Sequence, residues 1–240
     1  MKIQRHVLIA AMAVSFIASG ELPAHAAAAK PAHAQAPAGL VVVQEDVLIP
    51  LIDEPQVYFR EAGKDYARGD QAGAARQMRA GAALIRLEAG RHNAANKAGL
   101  DRAAKRLDDL AAQMKAGKVK SAEPMNQAFA AADLALARHY HEMALRAAGK
   151  KDRRSGNWLK GAADSVEDAA KWSGGEVSSG FKAGVDGART LGDKIANGAE
   201  WSAGEVRAKA DALGRDIVGV GRSGANSSGA AAGGSGATAK

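Results

Sequence analysis

Residues 122–148 read AEPMNQAFAAADLALARHYHEMALRAA. Met125, Phe129, Ala132, Leu136, Tyr140, Met143 and Ala147 recur in it at steps of three and four, so they share one face of an α-helix. The same spacing predicts three helices upstream. The first starts at a cap on Asp53, carries Pro55 in its first turn and breaks at Gly69-Asp70. The second runs from Gln71 to Ala89 and ends at Gly90. The third spans Asn96 to Ala116, where Leu100, Ala103, Leu107, Leu110 and Met114 form an a/d-like stripe. The turns GRHN and AGKVKSAEP are short, which favours antiparallel neighbours. Residues 53–149 are therefore expected to form an antiparallel helical bundle with Met78, Ile85, Leu107, Leu110, Phe129, Leu136 and Tyr140 inside.

Composition points to the same all-α class. Aromatic residues are 4% of the 240, which excludes a large aromatic core, while Gly and Ala abound. Such an interior must come from aliphatic side chains and closely approaching Ala faces, and helix-on-helix packing suits that better than a sheet. There is no Cys, hence neither a disulfide framework nor a Cys-based metal site, and stability must come from packing.

The first two helices, with Gly63, Tyr66, Gly69-Asp70, Ala74 and Met78, resemble one tetratricopeptide repeat, a helix–turn–helix unit used for binding peptides. The resemblance covers one stretch only. Leu87 or Glu88 stands where that motif usually ends in Pro, and no further copy follows.

The ends have a different character. Lys2 and Arg5, the apolar run Val7–Ala18 and Ala24-His25-Ala26 follow in the order of a cleaved secretory signal peptide, residues 1–26. A Pro/Ala linker (27–39) and a β-prone strap (40–52) interrupted by Pro50 come next. Residues 219–240 form a Gly/Ser/Ala tail, expected like the linker to be disordered.

The second half, residues 157–218, contains a repeat. KWSGGEV (171–177) returns as EWSAGEV (200–206), 29 residues on. Positions also recur at steps of eleven: Ala162, Ser173, Gly184, Ile195, Val206 and Ile217 in one register, and Val166, Val177, Ala188, Ala199 and Ala210 in another. Eleven residues at ~100° each make close to three turns, so this reads as a Gly/Ala-rich amphipathic helix or helix pair. On it Trp158, Trp172 and Trp201 would share one stripe. The pattern resembles late-embryogenesis-abundant and apolipoprotein-like helices as a class. Eight Gly between Trp172 and Gly204 oppose it, each weakening a helix by ~1 kcal/mol, so the segment must pack closely on something. The expectation is packing on the bundle or on a second copy, with an exposed, adaptable remainder from Ala203 to Val220.

For function, Trp158, Trp172, Val177, Phe181, Trp201 and Val206 are the candidate partner-binding residues. A protein partner or self-association is expected, with a membrane surface as the weaker alternative and no nucleic acid. Residues 53–156 carry 20 Lys+Arg against 13 Asp+Glu, a balance of +7, whereas 157–218 carry 8 against 10, a balance of −2. The basic half is expected to be a solvated face, or else drawn to anionic lipid, polysaccharide or an acidic partner. Nucleophile elbows, P-loops, HExxH and EF-hand patterns are absent from the sequence. An exported, non-enzymatic helical binding protein, stress-protective in one form, is the leading expectation, with no cofactor. The alternative is a periplasmic bundle holding haem or a metal through His92, His139 or His141. On a helix His139 and His141 point ~200° apart and cannot share a metal, so a surface or rim role is expected for both.

Overall fold

The computed structural model describes residues 55–91, 94–174 and 178–230, with side chains to Arg222. Seven helices and no strand occur among them: α1 (Pro55–Ala67), α2 (Gln71–Gly90), α3 (Lys97–Lys115), α4 (Glu123–Gly149), α5 (Arg154–Trp172), α6 (Ser179–Ala196) and α7 (Ala203–Ala230). Each packs against its neighbour in sequence, and α7 also reaches back to α4 and α5. The expected leader, linker and strap lie outside the described residues, as do Asp53, His92, Val177 and residues 231–240. The last helix runs to Ala230, past the boundary expected at residue 219.

The first four helices stand within two residues of their sequence bounds because local chemistry sets them. Asp70 caps α2, its carboxylate accepting from the Gly73 amide at 2.7 Å, after Gly69 has turned the chain at φ +80°. Such a cap contributes about 1 kcal/mol. Gly117 ends α3 at φ +67° in the same way.

Two hydrophobic clusters result. One gathers Phe59, Met78, Ile85, Leu100, Leu107 and Met114 with the first half of α4, Met125 to Leu136. The other gathers Ala137, Ala144 and Ala148 of α4 with Leu159, Val166, Val185, Ile195 and Leu213. Helix α4 belongs to both, and every expected core residue is buried except Tyr140, which is half-buried between the clusters.

The second half is three helices rather than one long helix, which corrects the single stripe of three tryptophans. The two copies of the repeat mark the breaks but do opposite jobs. In the first, Trp172 is the last residue of α5, the Ser173 hydroxyl donates to Ala169 O at 2.8 Å, and Gly174 leaves the helix at φ +65°. In the second, Ser202 starts α7 through a capping box: its amide donates to Glu205 Oε2 at 2.7 Å and the Glu205 amide donates to Ser202 Oγ at 3.1 Å. The Ser202 amide and the Lys194 ammonium hold the Glu205 carboxyl below its usual range. The copies differ at two positions, and the one at the break is Gly174, which stands where the second copy has Ala203. Glycine takes a left-handed helix end without strain, and alanine favours the first turn of a helix.

The eleven-residue register nevertheless survives the breaks. Ala162 and Val166 on α5, Ala188 and Ile195 on α6, and Val206, Ala210 and Ile217 on α7 are all buried, while Ser173 and Ala199 fall in the turns. The stretch from Ala203 is therefore no exposed remainder, because the α7 stripe closes the second cluster.

Close approach explains part of the glycine content. Where α5 meets α6, a methyl group on Gly156 would lie 2.7 Å from the Gly192 carbonyl, and one on Gly192 equally close to the Gly156 carbonyl. Nearby, Arg189 of α6 donates to Asp164 at 2.6 Å and to Glu167, both on α5. Burial would raise the Glu167 carboxyl, but Arg189 and Lys171 more than offset this and hold it below its usual value.

Two kinds of substitution follow opposite logic at fully packed sites. Leu107→Ala is expected to lower unfolding free energy by about 2–5 kcal/mol through a cavity, and Gly192→Ala by about 1–3 kcal/mol through overpacking, both read by urea denaturation. A loss under half a kcal/mol at Leu107 would show an exposed stripe.

Asp216 on α7 gives a pH-dependent expectation. Burial pushes its carboxyl above the ordinary 3.8, and Arg215 opposes this only in part. The folded state thus disfavours the charged form, so the group's favourable share of stability is present below pH 3.8 and is lost as pH rises through the folded pKa. Asp216→Asn is expected to raise Tm at pH 7, with the gain shrinking towards pH 4; an equal gain at both pH values would contradict this origin.

Candidate functional site

The most polar part of the interior lies where the end of α2 meets the middle of α4. His139, 1% exposed, places Nδ1 2.7 Å from the Ala95 carbonyl oxygen and Nε2 3.0 Å from Glu88 Oε1. A carbonyl only accepts, so Nδ1 donates, and the contact of Nε2 with the carboxyl needs a further proton between the two. Glu88 Oε2 takes Arg91 Nε at 2.6 Å. Six residues earlier along α4, the buried Asp133 accepts from the Gln56 amide of α1. These bonds tie α1, α2 and the start of α3 to α4, whose inner face would otherwise carry uncompensated polar groups.

His139 is thus structural, as expected, but buried, which corrects the surface or rim placement expected from the sequence. His141 points elsewhere: its Nε2 donates to Ala210 O of α7 at 3.0 Å. His139 offers no free nitrogen to a haem or metal, and among the described residues no group of three or more His, Asp or Glu side chains is disposed to hold a metal ion. Among the same residues no helix is long and apolar enough to cross a membrane.

A pocket opens beside this polar centre, about 80 Å³ in volume, between the first turn of α1, the end of α2, α4 and α5. Its aromatic wall is Tyr140 stacked on Trp158, ring centroids 5.6 Å apart and 23° between planes, with His139 edge-on to the indole at 6.2 Å. The Tyr140 ring lies flat on α5 because position 161 is glycine, where a methyl would come within 3.0 Å of it. Around the aromatic pair stand Gln56, Glu88, Asn157, Asp164, Ser165 and Asp168.

A second, open groove runs along α3 and the first turn of α4. It is lined by Arg102, Lys105 and Arg106 with Asp109, Leu110 and Pro124. Lys105 pairs with Asp109 at 2.6 Å.

The six expected partner-binding residues are scattered through the second half. Trp158 is 6% exposed and Val206 fully buried, both in the second cluster. Trp172 packs edge-on to Phe129 at 5.0 Å, and Phe129 stacks on Phe59 at 4.4 Å. Phe181 and Trp201 are half-buried against the second cluster, and Val177 lies outside the described residues. Trp158 and Trp172 do share the α5 face laid on α4, and Trp201 does not join them. Sequence reasoning missed Glu88, Gln56 and Asp133, for which the one available signal was a carboxylate on a helix stripe otherwise apolar. Comparison with known protein families, characterised proteins and solved structures gives no match.

His139→Leu is expected to reduce stability by about 1–3 kcal/mol, because the Ala95 carbonyl and Glu88 lose their donors inside the protein. Chemical denaturation measures it, and a neutral or stabilising effect would refute the structural role.

Proposed function

We propose that this is an exported, non-enzymatic helical protein that binds an acidic protein partner outside the cytoplasm through the cationic face of α3. The observation that carries the reading is the groove itself: Arg102 and Arg106, one helical turn apart and outside every ion pair described here, flank an apolar floor of Leu110 and Pro124. Paired cations such as Lys97 with Asp101 and Lys105 with Asp109 are largely spent on their own helix. The two arginines are left to face solvent with their donors, suited to carboxylates on a partner. Export is supported by the order of charged, apolar and small residues in positions 1–26. The tryptophans support the reading by elimination, since their packing inside the chain leaves the basic half as the available surface. The two occupied nitrogens of His139 weigh against that residue as a haem or metal ligand.

The test is a crosslinking capture from envelope extract with the mature chain and with Arg102→Glu/Arg106→Glu. The expected result is an acidic protein held by the native chain, lost with the double variant and lost as salt is raised, since exposed pairs are screened. Capture unchanged by the charge reversal would overturn the assignment of the face. Co-sedimentation with phosphatidylglycerol vesicles that needs the same arginines would replace the protein partner with the membrane surface.

A further inference from the structure

We propose that the pocket between α4 and α5 is a binding site for a small organic ammonium ion. Three features of the pocket converge on that chemistry. Its wall is the stacked Tyr140–Trp158 pair, and an indole face attracts a cation through its quadrupole more strongly than any other side chain. Its polar lining is rich in acceptors: the carboxylates of Glu88, Asp164 and Asp168 against one cation, Arg91, which Glu88 already holds. Arg189 binds Asp164 through Oδ1 and Lys171 binds Asp168 through Oδ1, and neither cation lines the pocket, so each carboxylate keeps its second oxygen for a ligand. Finally, Ser165 is 6% exposed, lines the pocket and makes no hydrogen bond within the protein. A hydroxyl so placed in the pocket lining can accept from an ammonium N–H.

Size narrows the class. A volume of about 80 Å³ admits a compact ammonium head and excludes a nucleotide, a haem or a peptide helix. An anion is disfavoured by the three carboxylates, and a neutral apolar guest would leave Glu88, Asp168 and Ser165 without gain. No residue of this pocket belongs to the α3 groove, so the proposal stands apart from the acidic-partner reading, and either can fail without the other.

The experiment uses the full mature chain, ¹⁵N-labelled, and follows its three indole N–H signals, assigned by Trp→Phe variants. tert-Butylammonium chloride is titrated against sodium chloride of equal ionic strength, with tert-butanol as the neutral analogue of similar shape. The expected result is a saturable shift of the Trp158 signal alone. Asp168→Asn should weaken the apparent Kd about fivefold, as for loss of a partly exposed ion pair, and Ser165→Val serves as the second variant should the first perturb folding. A Trp158 signal that does not move in the folded protein would overturn the proposal. So would an equal shift with tert-butanol, or a Kd unchanged in both variants.

Discussion

The antiparallel contact of α4 with α5 holds the molecule together. Phe129 and Tyr140 on α4 meet Trp172 and Trp158 on α5, so two aromatic anchors fix the register of helices whose other contacts are mostly Ala and Gly. Small side chains bring helix axes close and multiply dispersion contacts, but they specify register poorly because one Ala resembles the next. A chain with 4% aromatic residues resolves that ambiguity by placing several of them along this one seam. The first cluster then lies on one half of α4 and the second on the other.

Local signals carried the helices well. Stripes at steps of three and four, Gly at the ends and Asp70 as a cap placed α1 to α4 closely, since each of these acts within a few residues. The repeat misled for a local reason as well. Angular arithmetic assumed unbroken helix across Gly174 and Gly198, which both adopt positive φ, so Trp201 left the stripe that Trp158 and Trp172 keep. The site was least legible. His139 owes its burial to Glu88 and Ala95, 51 and 44 residues away, and no spacing rule links positions so distant. The pocket likewise draws residues from four helices, and only the fold brings them together.

Charge divides the same way as chemistry. The positive excess belongs to residues 53–156, and α3 displays it in an open groove, whereas the near-neutral second half spends its acids on internal ties such as Arg189 to Asp164 and Glu167. If both proposals hold, long-range attraction and enclosed recognition fall to different surfaces of the molecule, the former the more sensitive to salt.

Sharing α4 between two clusters also orders the chain in time. A polypeptide delivered from its N-terminus presents α1 to α4 first, and the first cluster has all its fully buried members once Leu136 has emerged, with Trp172 of α5 still to come. The rest of α4, with Ala137, Ala144 and Ala148, has nothing to lie against until α5 and α6 follow, and Val206, Ala210, Leu213 and Ile217 of α7 come last of all. A chain that folded in that order would have one end of α4 packed while the other was bare, and the bare end would be the surface open to a chaperone or a second copy.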